Sequence, residues 1–226
     1  MKYSPVEVTN NLKEYKFSFK KKFGQNFIID ENIVDNIISK SKIKKNSLVI
    51  EVGPGSGSLT YKLCKTAKQV ICFEVDTSLK DILDNNLQEY NNVEIIYEDF
   101  LKVNLQNKLS QYEYDNLYLI ANLPYYITTP IITKIIDEKI DVDKIVIMVQ
   151  KEVGERFSAK PNSKDYNSLS VFLQYNFNIN KIMDVSRNVF IPKPNVDSIV
   201  LELCKKEKKP VNDLNKLYKL VRDSFT

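Results

Sequence analysis

The sequence predicts an α/β fold in which helices cover both faces of a mostly parallel sheet. Three observations lead there: short apolar runs recur along the chain, stretches of helical periodicity separate them, and the first run ends in a cluster of glycines. Residues 1–22 are basic and irregular and read as an N-terminal arm. Asp30 is placed to cap a helix near 31–41, with Ile33, Val34, Ile37 and Ile38 on one face. Leu48 to Val52 form an apolar run into Gly53, the pattern of a buried strand. A helix near 58–66 and a strand from Val70 to Val75 follow. The same order continues with a helix near 77–90, strands near 93–97 and 116–121, a helix near 129–137 and a strand near 144–149. Beyond residue 168 longer β-rich runs, near 168–178 and 198–204 with little helix between, predict an antiparallel edge. Lys205 to Pro210 read as a linker and 212–225 as an amphipathic helix.

A chain of 226 residues holds one sizeable core and the start of a second, small domain. Apolar residues make up 43% and charged residues 27%, an ordinary globular balance. No apolar run approaches the ~18 residues of a membrane span, and Met1 to Lys22 lack the apolar block of a secretory signal. A cytoplasmic protein that touches no membrane is expected. Cys64, Cys72 and Cys204 form no CxxC pair, and there is no histidine. That absence excludes Ser-His and Cys-His nucleophilic catalysis and most zinc sites. The formal charge of +4 is uneven: residues 1–50 carry ten Lys against five acidic residues, 51–204 sixteen basic against twenty-one acidic, and 205–226 seven against three. Basic ends suit contact with a polyanion, and equally suit solvated termini.

Three of the five glycines are Gly53, Gly55 and Gly57. A strand running into Gly53-Pro54-Gly55-Ser56-Gly57 and then a helix lets backbone approach a ligand beside a positive helix end. The position where a dinucleotide fingerprint needs Gly or Ala is Ser58. The loop therefore fits a nucleoside cofactor without a pyrophosphate, and a zwitterionic methionine moiety is a natural occupant. Glu74 closes the second strand, where a carboxylate accepts from both ribose hydroxyls; Asp76 competes for that role, and strand alternation favours Glu74. Asp99 follows the third strand, placed to accept from an adenine amino group, with Phe100 beside it as an apolar flank.

Asn122-Leu123-Pro124-Tyr125 follows the fourth strand at the same edge. The lone pair of an aromatic exocyclic amine is delocalised and poorly nucleophilic. Two acceptors on its N–H groups, the Asn122 side-chain oxygen and the Leu123 carbonyl, favour a tetrahedral nitrogen that can take a methyl. Pro124 stiffens the turn and Tyr125 offers a stacking face.

With these residues in hand, the sequence resembles the ribosomal RNA adenine dimethyltransferase family, in its small-subunit, kasugamycin-sensitivity branch. The matching blocks are Phe23 to Phe27, Glu51 to Gly55, Asn122 to Tyr125, Gln150 to Val153, Pro161 to Lys164 with Tyr166 and Leu169 to Val171, and Phe190 to Pro194 with Val196 to Ser198. The resemblance implies a Rossmann-like class I methyltransferase sheet over residues 1–205. It further implies that 206–226 begin a helical C-terminal domain cut short in this chain. It implies S-adenosylmethionine as cofactor, contacted by Gln25, Asn26, Ile28, Gly53, Gly55, Gly57, Glu74, Val75, Asp99, Phe100 and Asn122. Phe190 then becomes a second aromatic face for the base opposite Tyr125, against the alternative of a core phenylalanine. The implied substrate is adenine N6 in the RNA of an immature small subunit, methylated by a monomer without a metal. Two alternatives stay open: the macrolide-resistance branch acting on large-subunit RNA, and a binding factor without turnover.

Overall fold

The molecule is described here by a computed structural model covering residues 5–20, 23–207 and 211–225, with the side chains of Pro5, Val6 and Tyr125 outside that description. Its centre is β2 (Ser47–Val52), every residue of which is buried. Two parallel neighbours enclose it: β3 (Gln69–Phe73) pairs Val70 with Val49, and β5 (Asn116–Asn122) pairs Tyr118 with the same residue. β4 (Val93–Ile96) and β6 (Lys144–Gln150) extend the parallel set outward. On the far side β9 (Ser198–Lys205) runs antiparallel to β6, and β7 (Phe177–Val185) antiparallel to β9. The order is β4-β3-β2-β5-β6-β9-β7, so the expected antiparallel edge is present.

Alternate residues of one strand feed opposite cores, because successive side chains point to opposite faces. Leu48, Ile50 and Val52 join a cluster with Ile131, Ile135, Phe157 and Leu173 from α6 (Thr128–Asp137), α7 (Lys151–Phe157) and α8 (Ser168–Asn176). Val49 joins one with Val34 and Ile37 of α2 (Glu31–Ser41) and Leu59 and Leu63 of α3 (Ser58–Thr66). α2 starts where expected, with the Asp30 carboxylate accepting from the Asn32 amide at 2.9 Å. The stretch expected as one helix near 77–90 divides into a 3-10 turn, Thr77–Leu79, and α4 (Lys80–Leu87), while α5 (Leu105–Leu109) follows the third parallel strand. Among the described residues no helix is long and apolar enough to cross a membrane.

Two expectations fail. The run near 168–178 is not β: residues 168–176 are helical, and the strand begins only at Phe177. Val171, Phe172 and Tyr175 favour strand by propensity. A capping box between Asn167 and Ser170 starts the helix instead, and Ser170, Leu173 and Asn176 recur at helical spacing on its buried side. The basic arm is not wholly irregular either. Its residues 5–14 form α1 (Pro5–Glu14), which buries Val8 and Leu12, one helical turn apart, against Leu79, Ile82, Leu83 and Leu87. Residues 1–4 and 21–22 of the arm, and 208–210 of the expected linker, lie outside the described residues. After them comes α9 (Leu214–Asp223), whose Tyr218 ring meets Phe172 edge-on at 4.7 Å.

Candidate active site

The C-terminal ends of the parallel strands open into a cavity whose empty space, counted out through its open mouth, is about 950 Å³. Its floor is the glycine loop. Gly53, Gly55 and Gly57 have φ of +73°, +58° and +84°, a region that penalises side chains. The loop is tied to β3 by Gly53 N donating to the Phe73 carbonyl at 2.9 Å, and it closes on itself through Gly57 N to the Pro54 carbonyl. Gly55 has a second requirement, since a Cβ there would sit 2.8 Å from the Phe27 ring.

Strand β3 ends at Phe73, so Glu74 is the first residue of the loop beyond it rather than the last of the strand. The Glu74 carboxylate is buried and accepts from Asp76 N at 2.8 Å and from Gly55 N at 3.4 Å. Burial raises its pKa above the usual carboxylate value, and these amides offset only part of the rise. Beneath it Glu51 is more extreme. Burial pushes its pKa from the usual 4.5 to about 7, against a hydrogen bond from Cys72 Sγ at 3.5 Å. Asp99 lines the wall and caps the following turn through Leu101 N at 3.0 Å. Phe100 packs its ring edge-on against Phe73 at 5.2 Å, and exposed Val75 lies on the same side of the cavity.

The opposite wall is a segment distant in sequence. Gln25, Asn26 and Ile28 line the cavity, held by pairing of β1 (Phe27–Ile28) with β8 (Phe190–Ile191). Asn122 ends β5, and its Nδ2 donates to the Asn26 main-chain carbonyl at 2.8 Å. With the amide nitrogen so engaged, Oδ1 is the end left to accept. Leu123 and Pro124 continue the wall, and the Pro124 carbonyl accepts from Ile127 N at 3.1 Å to close the turn.

Not every candidate reaches the cavity. Gly57 stands at the start of α3 and is absent from the cavity lining. Phe190 is a core residue, 4% exposed, packed with Ile28, Val49 and Val185, so no free aromatic face is available there. An apolar strand residue paired with a buried partner is drawn inward, and its motif position did not reveal this. The Tyr125 side chain lies outside the described residues. Its neighbour Tyr126, 60% exposed, lines the cavity. Sequence reasoning also missed Glu51 and Gly24 as lining residues. A buried acid inside an otherwise apolar strand was the available signal for Glu51; Gly24 stands in the Phe23 to Phe27 block without having been assigned to the site, and takes a left-handed φ of +58° there.

Comparison with known proteins shows the family and the fold. Residues 16–226 match the family described as ribosomal RNA adenine dimethylase. The chain is 46% identical to a protein of Macrococcus caseolyticus named ribosomal RNA small subunit methyltransferase A, over 98% of this chain and 76% of that one. It is 43% identical to the protein of the same name from Lysinibacillus sphaericus, over 98% and 77%. A crystal structure of a dimethyladenosine transferase from Plasmodium falciparum superposes with a TM-score of 0.78 at 32% identity, covering 88% of this chain and 70% of that one. The 23S ribosomal RNA methyltransferase ErmE shares the fold, with a TM-score of 0.72 at 23% identity over 86% and 77%. By sequence over nearly its whole length and by fold, the chain belongs to the ribosomal RNA adenine dimethylase family.

Proposed function

We propose that this protein transfers methyl groups from S-adenosylmethionine to N6 of adenines in small-subunit ribosomal RNA, two per base on two adjacent adenines, during ribosome maturation. The observation that carries the proposal is the Asn122 carboxamide, anchored through Nδ2 on the Asn26 carbonyl and lining the cavity beside the glycine loop. The cavity suits such a cofactor because the glycine loop lines it and the buried carboxylate of Glu74 offers acceptors for a pair of ribose hydroxyls.

When bound, S-adenosylmethionine supplies an electrophilic methyl on sulfur. Glu74 would hold its ribose, Asp99 its adenine amino group, and Val75 with Phe100 the faces of its ring. Asn122 Oδ1 and the Leu123 carbonyl accept from the two N–H groups of the target amine, draw nitrogen toward tetrahedral geometry and aim its lone pair. Asparagine takes no proton, so the proton released from nitrogen leaves to water. Catalysis then rests on positioning and preorganised acceptors. The target base must leave its stack to reach the cavity, which favours loops and helix ends over continuous duplex.

The protein is further proposed to act as a cytoplasmic monomer on the immature particle, with residues 1–205 as the methyltransferase domain and 206–226 opening a helical one. Names of relatives favour the small subunit over the macrolide-resistance reading, since the likeness to ErmE is one of fold. Incubation with labelled cofactor and each immature subunit tests the proposal, with label expected on small-subunit adenines. Asn122→Ala is expected to lower turnover by about 10²–10³-fold with cofactor still bound; near-native transfer by this variant would remove Asn122 from the mechanism.

A further inference from the structure

We propose that Asp76, latched by Lys20 and Gln25, is a positioning residue that fixes the Asn122 carboxamide of the reaction centre through the segment between them. The inference rests on the function proposed above. Asp76 is the carboxylate that competes with Glu74 for a ribose in the sequence, but its geometry gives it another task. Its side chain is 1% exposed and absent from the cavity lining. It is saturated by donors: Lys20 Nζ on Oδ1 at 2.5 Å, Gln25 Nε2 on Oδ2 at 2.7 Å, and the Ser78 amide and hydroxyl at 3.1 and 2.6 Å. Burial alone would raise its pKa, yet the hydrogen bonds led by Lys20 outweigh it and hold the group below its ordinary value. An ionised, fully partnered carboxylate is a fixed anchor.

What it anchors is Gln25. The other end of that amide is also held, because the Lys20 main-chain N–H donates to Gln25 Oε1 at 2.9 Å. The adjacent residue, Asn26, offers the carbonyl that takes Asn122 Nδ2. On the far side of Asn26, Phe27 and Ile28 pair with Ile191 and Phe190. The carbonyl that orients Asn122 therefore stands between two fixed points, the Asp76 latch and the β1–β8 pairing. An amide hydrogen-bonded to a loosely held carbonyl samples several rotations; one bonded to an immobile carbonyl presents Oδ1 in a single direction. Chain positions 20, 25, 76 and 122 thus act as one unit.

Asp76 also caps the turn Thr77–Leu79, so its own substitution would confound folding with positioning. Lys20 is the better probe, with a side chain 39% exposed and no place in the cavity lining. The full chain is assayed for methyl transfer to immature small subunits as wild type, Lys20→Met, Lys20→Arg, Asn122→Ala and the Asn122→Ala/Lys20→Met double variant. Lys20→Met is expected to lower kcat about 5–10-fold, from the loss of the ammonium's hydrogen bonds to Asp76 and Ser78 discounted for partial exposure, while Lys20→Arg stays within about twofold of wild type. In the Asn122→Ala background the same change is expected to cost less than about twofold, because the residue it acts through is gone. Equal losses in both backgrounds, or no loss in wild type, would overturn the proposal. Independently of activity, the side-chain NH₂ resonance of Asn122 in ¹⁵N-labelled protein is expected to shift or broaden in Lys20→Met and not in Lys20→Arg; an unchanged resonance in both overturns it. The Asn122→Ala variant alone judges the proposed function, and the comparison between backgrounds judges the latch.

Discussion

Replacing Gly55 by alanine tests the joint between the glycine loop and the segment packed on it. Two costs add. The backbone there has φ +58°, and a non-glycine residue in left-handed geometry pays about 1–2 kcal/mol. The new Cβ would also lie 2.8 Å from Phe27 Cε1 and 2.9 Å from Cδ1, closer than packed atoms tolerate. Phe27 has little room to yield, being 6% exposed with its ring centroid 5.7 Å from Phe17 and 5.3 Å from Phe19. Overpacking of this kind costs about 1–3 kcal/mol. The sum, about 2–5 kcal/mol, corresponds to a fall in Tm of roughly 4–20 °C for a chain of this size. Displacing Phe27 also moves Asn26, so cofactor affinity falls with stability. Urea denaturation and calorimetric titration with S-adenosylmethionine measure the two effects. A Gly55→Ala protein within about 0.5 kcal/mol of wild type and with unchanged affinity would refute the packing argument.

The Glu51 carboxyl, held by burial at about 7 instead of 4.5, keeps a proton that the unfolded chain releases. Stability therefore falls as pH rises from about 4.5 to about 7, by on the order of 3 kcal/mol, and levels off above. Glu51→Gln is expected to flatten that slope and to exceed wild type by about 1–3 kcal/mol near pH 8, read from urea melts across the window; an unaltered slope contradicts the assignment. Asp99→Ala is expected to raise the cofactor KM about tenfold with kcat nearly unchanged, since the lost hydrogen bond serves binding rather than transfer; a loss confined to kcat would refute that role. Gly154→Ala on α7 places a Cβ 2.5 Å from Ile199 Cγ2 and 3.3 Å from Val149. A loss of about 1–3 kcal/mol with no change in cofactor affinity is expected from thermal melts and titration, and a neutral variant would show that the helix moves off the sheet without cost.

The parallel core was legible in the sequence because its signals are local. Apolar runs, the glycines after Val52 and the carboxylate near the end of the second strand each depend on a few neighbouring residues; the glycines follow β2 as expected, while β3 stops one residue before Glu74. Where burial pattern and propensity conflict, local signals fail. The residues at 168–176 favour strand by type and form a helix by capping, and α1 has too few apolar positions to stand out among its polar residues. Phe190 belongs to a motif yet lies in the core, because strand pairing with Ile28 turns it inward.

The tetrapeptide at Asn122–Tyr125 is proposed as the reaction centre because its amide, carbonyl and stiff turn follow a strand of a sheet that also carries the glycine loop, a context the sequence itself displays. Which way the amide points is a tertiary matter. Its partner carbonyl is 96 residues earlier, at Asn26. The division of labour between Glu74 and Asp76, one facing the cavity and one facing Lys20 and Gln25, likewise arises only when the chain closes over the sheet. A sequence states which groups are available along a strand; the direction of a hydrogen bond between distant segments exists only once packing has brought donor and acceptor within reach.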